Sequence, residues 1–137
     1  MGESPEQPLE TILVVDDSDM VQRMVVSILK GANFDVLYAH NGPAALQLAA
    51  NYTGKIDLLL SDVRMPGMSG PALGEALKQS RPDMKVMFMS GFTGGDLLVL
   101  DFGWDYIEKP FVPVKLIELV NSVLHGQPDA QSRMAGA

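Results

Sequence analysis

The chain has 137 residues, 47% of them hydrophobic, and a formal net charge of −7, which suits one domain with a core of its own. Its Lys and Arg are scattered singly and outnumbered by Asp and Glu, 10 to 17, which argues against a nucleic-acid surface, and with no cysteine there is no disulfide or thiolate metal site. The acidic, Pro-containing start "MGESPEQPLE" is unlike a signal peptide, and no apolar run nears the ~18 residues that span a bilayer, so a soluble protein with no membrane partner, in the cytoplasm, is expected.

Residues 1–10 and 126–137 are rich in Gly, Pro and polar residues and show no periodicity; they are expected to be flexible tails around one domain over 11–125. "TILVVD" is a short apolar run of strand type. From Ser18 to Gly31, Val21, Met24, Val25 and Ile28 share one helical face, and Gly31 ends the helix. "FDVLYA" is a second strand. Asn41-Gly42-Pro43 opens a second helix, with Pro43 tolerated in its first turn and a stripe of Ala45, Leu48, Ala49 and Tyr52. "IDLLLSD" is a third strand, followed by the Pro- and Gly-dense loop "VRMPGMSG". Ser69 suits an N-cap for a third helix carrying Leu73, Ala76 and Leu77. "KVMFMS" is a fourth strand. "GFTGGDLLVLDFG" is ambiguous and is taken as a short helix; "WDYIEK" is a fifth strand. Pro113 starts a last helix that turns Leu116, Ile117, Val120, Val123 and Leu124 inward.

Strand and helix thus alternate five times, which implies a doubly wound parallel sheet with helices on both faces. The strands are continuous apolar runs, as expected where both faces are covered.

The first strand drives "ILVV" straight into Asp16, Asp17 and then Asp19. Two carboxylates ~4 Å apart repel by roughly 4 kcal/mol at an effective dielectric near 20, so a bound cation is the obvious offset. In an open parallel sheet, ligands bind outside the carboxyl ends of the strands. The first strand ends in Asp16 and Asp17, the third in Ser61 and Asp62, the fourth in Ser90, and the fifth in Lys109 followed by Pro110. If the strand order is 2-1-3-4-5, which periodicity cannot supply, three carboxylates, a hydroxyl and an ammonium converge on one edge. Clustered carboxylate oxygens suit Mg²⁺, which keeps several waters and prefers phosphate as co-ligand. Such a set suits phosphoryl transfer, where positioning and charge stabilisation supply most of the catalysis, and an Asp carboxylate serves as acceptor in aspartyl-phosphate chemistry.

The set "VVDDSD", "LLLSDVRMPGMSG", "VMFMSG" and "YIEKPF", in this order, resembles the response-regulator receiver domain of two-component signalling, over residues 11 to about 125. The resemblance implies a flavodoxin-like (βα)5 fold with strand order 2-1-3-4-5. It implies that Asp62 is the phosphoacceptor, that Asp16 and Asp17 hold Mg²⁺ (or Mn²⁺) with Asp62, and that the main-chain carbonyl of Arg64 is a further metal ligand. Ser90 matches the hydroxyl residue that follows the phosphoryl group, Lys109 the lysine that pairs with it, and Tyr106 the aromatic rotamer switch; the bond to Pro110 is usually cis in this family. The implied partner is a histidine kinase or phosphotransfer protein, and the implied role is a phosphorylated switch of the surface formed by helix 4, strand 5 and helix 5, not a turnover enzyme. The wording of "MPGMSGPAL" and "KVMFMSGF" looks like receivers at the C-terminal end of hybrid sensor kinases.

Ser90 to Lys109 is shorter than this family leads one to expect, by roughly a turn of helix, so helix 4 is expected to be short or irregular. The stretch 97–104 is also unusually apolar, and an exposed patch there, with helix 5, is a candidate for self-association. Two other readings compete: a degenerate receiver acting only as an interaction module, and a Mg²⁺-dependent phosphatase with an Asp nucleophile. Such phosphatases usually carry two acids two residues apart on the first strand and need a substrate cap; here the pair is adjacent.

Overall fold

A computed structural model of the chain describes residues 9–91 and 104–126. The apolar runs become β1 (Thr11–Val15), β2 (Asp35–Ala39), β3 (Leu58–Asp62), β4 (Lys85–Ser90) and β5 (Asp105–Glu108). Between and after them lie α1 (Asp19–Gly31), α2 (Gly42–Asn51), α3 (Gly70–Ser80) and the last helix, α4 (Pro113–His125). Three helices start where a polar side chain takes up a free backbone N–H. Ser18 accepts from Val21 N at 3.3 Å, Asn41 from Ala44 N at 2.8 Å, and Ser69 from Ala72 N at 3.2 Å. Each such cap contributes about 1 kcal/mol. Pro lies in the first turn of α2, α3 and α4, where its missing N–H costs nothing.

The five strands form one sheet in the order β2-β1-β3-β4-β5, every pair parallel. This is the flavodoxin-like receiver fold that the resemblance implied. Successive side chains of a strand point to opposite faces, so each strand feeds two cores. Leu13, Val15, Leu59 and Phe88 face one core with Ala45, Ala49, Leu73 and Leu77 of α2 and α3. Ile12, Val14, Leu58, Leu60 and Met87 face the other, with Val25, Leu29, Leu116 and Val120 of α1 and α4. Two-sided burial is why β1, β3 and β4 read as unbroken apolar runs. The edge strand β2 is less covered, and Tyr38 is exposed.

The buried stripe of α1 differs from the expectation. It consists of Gln22, Val25 and Leu29, and Met24, expected inside, is exposed. Val25 and Leu29 set the phase, and Gln22 lies one turn before them on the same face. Burying an amide costs free energy unless its hydrogen bonds are made. Here Gln22 Nε2 donates to the Ala39 carbonyl at 2.6 Å and reaches the Asp16 carbonyl at 3.5 Å.

The expected tails (apart from residues 9, 10 and 126), the short helix between β4 and β5, and the apolar residues 97–103 lie outside the described residues. Trp104 is described; it is partly buried and packs against the core beside α3. Its ring centroid lies 5.4 Å from that of Phe88, tilted by 39°. Gly74 makes room for it, since a Cβ there would stand 3.4 Å from the indole. No described helix is long and apolar enough to cross a membrane.

Candidate functional site

Because all the strands are parallel, their C-terminal ends share one edge of the sheet, and the polar residues of the sequence motifs gather there. Asp16 and Asp17 follow β1, Asp62 ends β3, Ser90 ends β4, and Lys109 follows β5. Each of Asp16, Asp17 and Asp62 offers a carboxylate oxygen, and these atoms all lie within 4.8 Å of one another. Lys109 Nζ lies 3.2 Å from Asp16 Oδ2 and 3.5 Å from Asp62 Oδ1. One ammonium therefore serves two acids on different strands.

The acids differ in setting. Asp16 is fully buried, and its other oxygen, Oδ1, accepts from Ser18 N at 2.8 Å. Asp17 is exposed. The side chain of Asp62 keeps 14% of its surface open to solvent. Burial pushes the Asp62 carboxyl up from 3.8 to about 6. The Lys109 ammonium pulls it down, and the neighbouring Asp16 and Asp17 push it further up. Desolvation and like charge outweigh the single lysine.

The backbone holds the end of β3 firmly. Ser61 Oγ donates to the Asp62 carbonyl at 2.8 Å, Val63 N to Met89 O at 3.1 Å, and Gly70 N to Val63 O at 2.8 Å. The start of α3 rests directly on this turn: a Cβ on Gly70 would collide with the Asp62 carbonyl and meet the Phe88 ring at 2.9 Å. Lys109 is anchored as well, its N donating to Ser90 O at 2.7 Å, and the Lys109–Pro110 peptide bond is cis.

The remaining residues singled out by the sequence lie nearby in the chain. Ser90 is buried at the end of β4, paired in register with Glu108. Arg64 is exposed in the loop after β3. Tyr106 pairs with Phe88 across β4 and β5, is 39% exposed, and lines a groove with Phe111, Val112 and Leu119. Two features carry no motif in the sequence: buried Gln22 behind Asp16, and Gly70 against Asp62. The first was within reach, since it sits three residues before Val25 and seven before Leu29; the second depends on a contact between segments.

The donor set fits a hard divalent cation. Three carboxylates with one ammonium between two of them leave excess negative charge, and oxygen-only ligands suit Mg²⁺.

Comparison with known proteins points to one family. Residues 12–121 match the family model of the response regulator receiver domain. The chain is 33% identical over 120 residues to the sensor kinase CckA of Brucella abortus, covering 85% of this chain and 13% of that protein. It is 34% identical over 126 residues to the DNA-binding transcriptional regulator NtrC of Escherichia coli, covering 89% of this chain and 26% of that protein. The crystal structure of the receiver domain from the hybrid histidine kinase CckA superposes with a TM-score of 0.71 at 34% identity, covering 84% of this chain and 99% of that one.

Proposed function

Because the chain belongs to the response-regulator receiver family of two-component signalling, we propose that Asp62 accepts a phosphoryl group from the phosphohistidine of a histidine kinase or phosphotransfer protein. The observation that carries this reading is the meeting of Asp16, Asp17 and Asp62 with Lys109 bridging two of them.

An Asp62 carboxylate oxygen forms the new bond to phosphorus while the bond from phosphorus to the donor imidazole nitrogen breaks. The leaving imidazole departs with the bonding pair and takes up a proton. Asp16, Asp17, Asp62 and the main-chain carbonyl of Arg64 would hold Mg²⁺, or Mn²⁺ in its place. When bound, the ion supplies positive charge that offsets repulsion between the acids and the incoming phosphoryl oxygens. Lys109 is the chain's own positive charge at the acceptor, 3.5 Å from the attacking carboxylate. A pKa of about 6 leaves Asp62 mainly ionised, hence nucleophilic, near neutral pH. Met20, 80% exposed in the first turn of α1 beside the acids, offers the donor an apolar foothold.

The product adds close to two negative charges to the edge. Lys109 and the Ser90 hydroxyl then turn to the phosphoryl oxygens, and Tyr106 swings from its half-exposed position toward the space vacated. The face formed by β5 and α4, with the helix expected before β5, thereby changes its affinity for a partner. The protein acts as a switch that takes and releases one phosphoryl group, not as a turnover enzyme. Likeness to CckA supports a relay within or from a hybrid kinase, and the cytoplasm is where such a donor acts.

Incubation with acetyl phosphate and Mg²⁺, followed by intact mass, tests the proposal. A phosphate-mass increase that disappears in Asp62→Asn is expected. No increase in the wild type makes the chain a binding-only receiver, and continuous phosphate release from small esters makes it a phosphatase.

A further inference from the structure

Gln22 is a buried polar residue in an otherwise apolar stripe, and nothing in the phosphoryl chemistry uses it directly. It is 4% exposed. Its neighbours on the same face, Val25 and Leu29, are fully buried and serve packing alone. An amide in such a place is costly unless its hydrogen bonds are made, and its partners say what it holds. Both are main-chain carbonyls: Ala39 O at 2.6 Å and Asp16 O at 3.5 Å. Two carbonyl acceptors require the nitrogen end of the amide to face them. The Ala39 carbonyl also accepts from Asp16 N at 3.3 Å. One side chain on α1 therefore ties the last residue of β2 to the residue that begins the acid pair.

The consequence concerns the loop Asp16–Ser18, where the chain leaves β1 and turns into α1. Asp16 must stay buried with one oxygen on Ser18 N and the other on Lys109, while the next residue, Asp17, projects outward. Like-charge repulsion among the acids pushes this loop away from Asp62. Gln22 holds the loop through the main chain, at the peptide joining the two acids, while Lys109 holds the Asp16 carboxylate.

We propose that Gln22 is a positioning residue for the Asp16–Asp17 pair: it fixes the main chain between the acids so that both carboxylates stay aimed at a shared cation. The inference rests on the reading of Asp16, Asp17 and Asp62 as a Mg²⁺ site. It predicts that losing the amide weakens cation binding without removing a ligand. Gln22→Met keeps length and volume and removes the donor; Gln22→Lys restores a donor on a chain long enough to reach the same carbonyls.

Mg²⁺ binding is measured by isothermal titration calorimetry on wild type, Gln22→Met and Gln22→Lys, with thermal midpoints recorded with and without Mg²⁺. Outer groups that orient metal ligands typically contribute ten- to a hundredfold in affinity; the longer bond here places the expected loss for Gln22→Met near the lower figure, about tenfold, with partial recovery in Gln22→Lys. The half-saturating Mg²⁺ for phosphorylation by acetyl phosphate should rise in parallel, while the rate at saturating Mg²⁺ stays near wild type. If wild type binds no Mg²⁺, the underlying site assignment fails. If wild type binds and Gln22→Met binds equally well, even with a lowered midpoint, Gln22 merely fills the core and the inference is overturned. Should Gln22→Met not fold, Gln22→Leu replaces it as the donorless variant: about tenfold weaker Mg²⁺ binding supports the inference, and wild-type binding overturns it.

Discussion

The clearest energetic consequence of the site is that Asp62 destabilises the protein it serves. Its carboxyl is pushed from 3.8 to about 6, first by burial and then by Asp16 and Asp17, against the pull of Lys109. At ~1.36 kcal/mol for each tenfold in proton affinity this corresponds to about 3 kcal/mol. With 14% of the side chain open to water, solvent screening brings the figure to about 1–2 kcal/mol. The folded state holds this proton more tightly than the unfolded chain does. Its contribution is therefore favourable at low pH and is lost as pH rises from about 4 through about 6. Asp62→Asn removes the charge and keeps the shape. In metal-free buffer near pH 8 the variant should be more stable than wild type by about 1–2 kcal/mol, raising the thermal midpoint by roughly 3–8 °C. Near pH 5 the advantage should shrink, because wild-type Asp62 is then largely protonated. Urea unfolding followed by circular dichroism at both pH values, with chelator and then with Mg²⁺, measures it; added Mg²⁺ should stabilise wild type more than the variant. A variant that is no more stable near pH 8, or equally favoured at both pH values, would refute the reasoning.

Lys109→Met strands fully buried Asp16 without its ammonium and should cost about 2–4 kcal/mol in metal-free buffer, part of it recovered with Mg²⁺; chemical denaturation with and without the ion checks this. Gly70→Ala forces a methyl group against the Asp62 carbonyl and the Phe88 ring, so a loss of about 1–3 kcal/mol and slower phosphorylation at saturating Mg²⁺ are expected, read by unfolding and by intact mass over time. Arg64 is exposed two residues after the acceptor, where its side chain can shield an acyl phosphate from water; Arg64→Ala should shorten the phosphoprotein's lifetime several-fold, and an unchanged decay after the donor is removed would dismiss that role.

The legible parts of the sequence were those where one local rule suffices. Strands buried on two faces must be apolar throughout, so "ILVV", "LLL" and "VMFM" stand out, and a charge at the end of such a run is conspicuous. That places Asp16, Asp62 and Lys109 at strand ends without any knowledge of contacts. Ser18, Asn41 and Ser69 announce helix starts for similarly local reasons. Strand order is different, because alternation is compatible with several crossovers, and the family resemblance supplied what periodicity lacked. Met24 and Gln22 exchanged places in the expected stripe of α1 because a polarity rule prefers methionine inside, while the hydrogen bonds that pay for Gln22 come from β1 and β2. Between Ser90 and Trp104 the scattered glycines of the sequence and an apolar run too broad for one helix face left no single rule to apply.

Lys109 joins these observations into one mechanism. Its ammonium reaches Asp16 just after β1 and Asp62 at the end of β3, its N–H is fixed to Ser90 at the end of β4, and its own chain continues through Pro110 and Phe111 into α4. The residue thus touches the acid cluster at one end and the β5–α4 face at the other. Without added charge, its ammonium is divided between two acids that repel each other. A phosphoryl group on Asp62 changes that balance: the acceptor side gains close to two negative charges, while Asp16 keeps its bond from Ser18 N. On the proposed function the ammonium would then be drawn toward Asp62, and the connection to Pro110 and Phe111 would carry the pull to the surface where Tyr106 and Val112 stand exposed. The coupling can be no larger than the difference in Lys109's interaction between the two charge states, so a variant at position 109 should separate phosphorylation from its readout. In Lys109→Arg, which keeps the charge but not the compact ammonium, phosphate should still be incorporated while the solvent exposure of Tyr106, followed by hydrogen exchange of β5, responds less than in wild type. An identical response in the two proteins would place the coupling elsewhere in the sheet.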